Sequence, residues 1–165
     1  MKKSFKFKHI ENNLLKLLAL ILTNQNMLKY IYYLDDDPLG QPNVSVNLLE
    51  TNNIILTLFD EKILTEQQIK VFLNPLQGNL EYLPLSDLTY TLDIVIPNNK
   101  WILHGLGQLR AYRISDEFAQ MVDGQMVAGI GETEITKFRT YKVGDNYSGL
   151  SLWIKINSST MKGLR

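Results

Sequence analysis

The sequence predicts an α+β domain in which N-terminal helices and one later helix pack on a mixed or antiparallel sheet with a C-terminal β-hairpin. Three stretches carry that expectation. Ile10, Leu14, Leu17, Leu18 and Ile21 recur at the three- and four-residue steps of one helix face. Leu88, Tyr90, Leu92, Ile94 and Ile96 alternate with Thr89, Thr91, Asp93 and Val95, the period of a strand with one face in a core and the other mostly polar. Two strand-like runs, Ile135 to Val143 and Leu150 to Ile156, flank Gly144, Asp145, Asn146, Tyr147, Ser148 and Gly149, a hairpin signal.

The remaining elements follow in chain order. The first helix has a broad apolar face that needs covering on more than one side. Thr23 and Asn24 read as a stop and a restart, because an asparagine side chain can accept from the first free amides of a following helix. That second helix carries Met27, Leu28, Ile31 and Tyr32 as its stripe and ends in Asp35, Asp36, Asp37 and Pro38. From Leu39 to Asn53 the Asn, Pro and Ser content predicts a connecting loop, with room for a short strand over Val44 to Leu48. Ile54 to Phe59 is predicted as a strand and Lys70 to Leu73 as a shorter one. Pro75, Gly78 and Pro84 predict a second loop from Asn74 to Ser86.

Pro97, Asn98 and Asn99 close the alternating strand, and Gly105 and Gly107 break the chain after the apolar run Trp101 to Leu103. A helix is then expected over Arg110 to Asp123. Its apolar side holds Tyr112, Phe118, Met121 and Val122 with Ile114 at the border, while Ser115, Asp116, Glu117, Gln120 and Asp123 face water. Gly124 supplies the stop.

Composition fits a single domain over residues 1–165, with a basic leader over 1–9 that carries Lys2, Lys3, Lys6 and Lys8. Hydrophobic residues make up 45% of the chain, enough for a sizeable core, and 17 basic residues balance 17 acidic ones. The overall charge therefore gives no reason to expect nucleic acid as the main partner. With no cysteine there is neither a disulfide framework nor a thiolate metal site. Glu11, Asn12, Asn13 and Lys16 interrupt the first apolar run, and Leu17 to Leu22 is far shorter than a bilayer span, so no membrane role is expected.

The catalytic inventory is thin. His9 and His104 lie far apart and in no zinc-ligand spacing. Asp35 to Asp37 lack the alternating ligands, central glycine and distal glutamate of a calcium loop. GLGQL lacks the third glycine of a dinucleotide fingerprint, and AGIGET lacks the lysine and hydroxyl of a phosphate loop. Asp116 and Glu117, adjacent on a helix, point about 100 degrees apart and do not straddle a substrate. No cofactor, no metal and no enzymatic activity are expected.

Three segments, NLLKLLALILTNQNMLKYIYYLDDDPLGQP, LTYTLDIVIPNNKWILHGLGQLRAYRISDEFAQMVDG and DNYSGLSLWIKI, carry a resemblance. In that order they resemble a family of neck and tail-completion proteins of tailed bacteriophages, chiefly of Gram-positive hosts. The distinctive positions are Tyr32, Tyr33, Asp37, Pro38 and Leu39, then Trp101, Leu109, Arg110, Tyr112 and Ile114, then Tyr147, Ser148, Gly149 and Leu150.

The resemblance implies a structural virion protein of the tail-terminator type. Its partners would be itself in a homo-oligomeric, hexameric ring, the tail-tube protein, and a head-completion or connector protein, with transient contact to passing DNA as a further expectation. Its location would be the virion neck or tail after assembly in the host cytoplasm. A head-completion (stopper) protein and a nucleic-acid-associated module using the basic leader are the alternatives.

A ring subunit needs arms and strand edges for its neighbours, and Leu39 to Asn53, Asn74 to Asp87 and Gln125 to Glu134 are candidates. Within and beside them, Arg110, Arg113, Asp116 and Glu117 are expected as cross-interface charges, and Met126, Val127 and Ile130 as apolar contacts.

Overall fold

Asn24 divides the N-terminal helical region. In the computed structural model, which describes residues 6–46, 53–58, 60, 62, 65–79 and 86–157, its side-chain oxygen accepts from the Met27 amide at 3.0 Å. Helix α1 (Lys6–Thr23) ends there and α2 (Gln25–Tyr32) begins. The expected stop and restart is thus a side-chain cap. Lys6 to His9 belong to α1 rather than to a flexible leader; residues 1–5 lie outside the described residues.

Among the described residues eight strands follow: β1 (Ile54–Ile55), β2 (Lys70–Asn79), β3 (Ser86–Pro97), β4 (Ile102–Leu103), β5 (Gln108–Leu109), β6 (Gln125–Val127), β7 (Gly131–Val143) and β8 (Tyr147–Asn157). A 3-10 turn, Asn98–Lys100, follows β3, and α3 (Arg110–Val122) follows β5. The main sheet has the order β1-β2-β3-β8-β7-β6, with β1 parallel to β2 and every other pair antiparallel; β4 and β5 form a separate small hairpin. The three helices pack on this curled, mixed six-stranded sheet, an α+β fold.

Alternation along the strands builds the core. Val71, Leu73, Leu88, Tyr90, Leu92, Ile94, Leu150, Leu152, Ile154 and Ile156 join Leu17, Ile21, Met27, Leu28, Ile31, Ile114, Phe118 and Val122 from the helices. The Tyr90 hydroxyl donates to the Ile10 carbonyl at 3.0 Å, which ties α1 to the centre of the sheet. Burial pushes that phenol up to about 12.

The opposite sheet face is polar in sequence but not open to water. Thr89 and Thr91 are buried, and Phe72, Val95 and Tyr147 form a second small cluster there with Ile55 and Val143 beside it. The Tyr147 hydroxyl donates to the Glu66 carbonyl at 2.9 Å. Lys70, 3% exposed, reaches Glu66 at 2.9 Å and Asp60 at 3.3 Å. These contacts bind Asp60 and Glu66 to this face.

Several boundaries differ from the expectation. The strand over Ile54 to Phe59 is regular only at Ile54–Ile55, and Phe59 lies outside the described residues. The strand expected over Lys70 to Leu73 runs on through Pro75 and Gly78, with ladder irregularities at Pro75/Gln77 and Gln77/Asn79 that absorb both turn formers. The loop expected from Asn74 is strand as far as Asn79, and 80–85 lie outside the described residues. Val44 forms no strand: its amide and carbonyl pair with the Gln25 side chain at 2.9 and 3.2 Å. Residues 47–52 lie outside the described residues.

Candidate assembly surface

Helix α3 begins on a buried arginine. Arg110 is fully buried; its Nη1 donates to the Tyr33 carbonyl at 2.7 Å and the Tyr30 carbonyl at 3.2 Å, Nη2 to the Asp35 carbonyl at 2.5 Å, and Nε to the Lys100 carbonyl at 3.0 Å. Three of these acceptors lie at or beyond the C-terminal end of α2, where carbonyls have no helical donor. The guanidinium fork therefore caps one helix from the first residue of another. Burial lowers its pKa, opposed by the nearby Asp36 and Asp35 carboxylates.

This corrects the expected role of Arg110, whose donors are spent inside the subunit. The buried side of α3 is Arg110, Ala111, Ile114, Ser115, Phe118 and Val122. It is rotated from the expected face: Tyr112 is partly exposed, and Ser115 is buried with its hydroxyl donating to the Ala111 carbonyl at 2.8 Å. Position 110 lies on the i, i+4 row of Ile114, Phe118 and Val122, a signal that could have placed it inward.

The other expected contact residues separate into outward and inward sets. Arg113 pairs with Asp116 of its own helix turn at 3.4 Å, both half-exposed, a pair of small energetic weight. Glu117 accepts from the side-chain amides of Asn24 at 3.1 Å and Asn26 at 3.4 Å, which locks α2 to α3. Met126 is 67% exposed, but Val127 is buried and Ile130 packs on the core. Gln125 to Glu134 is a hairpin, β6 paired with the start of β7, and Lys16 of α1 holds its turn by donating to the Gly129 carbonyl at 2.6 Å. Gly129 holds a left-handed φ of 73° there.

The outward chemistry lies farther along β7. Among the described residues, β6 covers only Gly131 to Thr133 of that strand's outer edge, and the Ile135 amide donates to the Asp123 carboxylate at 2.9 Å; from Thr136 to Val143 its ladder partner is β8 alone. Phe138 is 66% exposed. Beside this half-strand lies an open cleft of about 450 Å³ lined by Trp101, Leu109, Tyr112, Thr140, Tyr141, Lys142, Ser148 and Gly149. Ile102 and Leu106, on the β4–β5 hairpin, are also exposed. The Tyr141 ring lies over Gly149, where a Cβ would sit 2.4 Å from the ring, so only glycine admits it. Burial raises the Tyr141 pKa, and Asp93 adds to the effect.

Two cation–aromatic contacts organise the outer strands: Lys137 lies 4.8 Å from the Trp153 ring centre and Arg139 lies 6.0 Å from that of Tyr141. The hairpin turn is tied to the 3-10 turn, with Asn98 donating to the Asn146 and Asp145 carbonyls and Ser148 donating to the Asn98 side-chain oxygen at 2.7 Å. Among the described residues no three His, Asp or Glu side chains converge as metal ligands, and His9 and His104 are both exposed.

The family model YomW matches residues 24–156, from the cap of α2 to the end of β8. The chain belongs to the YomW family. That family is named after a gene product of a Bacillus phage region, which makes the chain a phage-associated protein. No curated protein matches it. The YomW match takes in the Arg110 node, the cleft and all of β7, and leaves α1 outside.

Proposed function

We propose that this chain is a structural subunit of the phage head–tail junction, a tail-terminator-like ring protein that caps the tail tube and docks to the head connector. The observation that carries the reading is the outer half of β7. Among the described residues it is a strand edge without a ladder partner, with an exposed phenylalanine, beside a cleft rimmed by Trp101, Leu109 and Tyr112. Main-chain edges of this kind join subunits in fixed register without special chemistry, and exposed apolar side chains add the burial that holds them. Membership of a phage-associated family supports the same reading.

The test is the mass of the purified protein by light scattering after size exclusion, alone and mixed with the tail-tube protein of the same phage. A hexamer or a stable co-complex is expected. A monomer in both conditions contradicts the proposal.

A further inference from the structure

Ile54 to Phe59 has strong strand chemistry, yet among its described residues, 54–58, the ladder forms only at Ile54–Ile55 and Leu56 is 37% and Leu58 85% exposed. The segment nevertheless tracks its neighbour. The parallel register sets Ile54 beside Val71 and Ile55 beside Phe72; continued, it sets Thr57 beside Asn74, and the Asn74 side-chain amide donates to the Thr57 carbonyl at 3.2 Å. In that register Leu56 and Leu58 fall on the helix-bearing side of the sheet, with Ile54.

At the far end of the same sheet stands the free half of β7. There Phe138, Thr140 and Lys142 face the helix-bearing side, as their partners Leu152, Leu150 and Ser148 show. The two edges therefore offer exposed apolar side chains on the same face. Their charges also differ: 136–143 carries Lys137, Arg139 and Lys142 and no acid, whereas 54–58 carries no charge and is followed by Asp60, which pairs with Lys70, then Glu61 and Lys62.

Resting on the ring reading above, we propose that the ring contact is heterologous, with residues 54–58 of one copy adding as a strand to the outer edge of β7 in a second copy. β1 and β7 run in opposite directions across the sheet. Rotation about an axis along the strands then brings them together antiparallel, with Leu56 and Leu58 against Phe138. A head-to-tail contact of this sort closes into a ring when the rotation closes. Basic side chains commonly deter edge pairing, but Lys137 and Arg139 are drawn onto Trp153 and Tyr141.

The chain has no cysteine, so introduced thiols report alone. Leu58→Cys combined in one chain with Phe138→Cys, Thr140→Cys or Lys142→Cys, in turn, is oxidised and run without reductant. At least one double variant gives a ladder of covalent oligomers, the matching mixture of single variants gives dimer and nothing larger, and each single variant alone gives monomer. Separately, Leu58→Lys stays folded, with the circular dichroism of the wild type, because the side chain is exposed, and loses the oligomer.

An oligomer by light scattering with no heterologous cross-link at any of the three positions overturns this contact and leaves the ring reading standing. A single β7 variant that dimerises alone, or an oligomer unchanged by Leu58→Lys, also overturns it. A wild-type monomer with and without the tail-tube protein removes the ring reading and this contact together.

Discussion

β7 and β8 are paired along almost their whole length, yet they live in different environments. Leu150, Leu152, Ile154 and Ile156 of β8 are all buried, whereas Phe138 and Thr140, which face Leu152 and Leu150 across the ladder, are exposed. The difference comes from what lies beyond each strand. β8 has β3 on its other side and the helices above it; β7 has β6 for three residues and, among the described residues, no strand beyond them. A strand held on one edge by a buried neighbour is rigid without being covered, a suitable platform for contact.

The largest effect of substitution is expected away from both strands, at the node that sets α3 over the sheet. Arg110→Met leaves carbonyls of Tyr30, Tyr33, Asp35 and Lys100 without their donor. It is expected to cost about 3–5 kcal/mol in urea unfolding. Leu152→Ala, on the buried side of the ladder, is expected to cost about 2–4 kcal/mol by the same measurement.

Third is a pH effect. Tyr90, with its phenol raised to about 12, stays protonated in the folded chain after the unfolded chain ionises near 10. The contribution is whole below pH 10 and is lost as pH rises from 10 to 12, at about 1.4 kcal/mol per pH unit from this group. Tyr90→Phe should flatten that part of the stability–pH curve; an unchanged slope contradicts it. The smallest effect on folding is Phe138→Ala, directly opposite Leu152, within about 0.5 kcal/mol. Its expected consequence is weaker self-association by light scattering, so a large loss of stability would show that β7 serves the fold rather than a partner.

Where local chemistry decides, the sequence was legible. Asn24 caps, Gly124 stops α3 with a φ of 65°, the alternation at Leu88 to Ile96 makes a central strand, and Gly144 turns the final hairpin. Tertiary pairing overrode local signals elsewhere. Pro75 and Gly78 sit inside β2 because bulges accommodate them, and Leu56 to Leu58 stay irregular despite strand-forming side chains.

Which expected contact residues face outward was only half legible. Met126 was read as exposed and is, but Arg110 was read outward because arginines are rarely fully buried without a partner, and its partners are main-chain carbonyls that no residue pattern reveals. The open edge of β7 follows from how short β6 is, a property of the ladder rather than of any side chain.

Hydrogen exchange along β7 as a function of protein concentration tests the association reading most directly. Outward-facing amides between Thr136 and Val143 are expected to exchange fast in dilute solution and to become protected as concentration rises, while β8 amides stay slow throughout. Fast exchange of those β7 amides at every concentration, with the tail-tube protein present or absent, would contradict it.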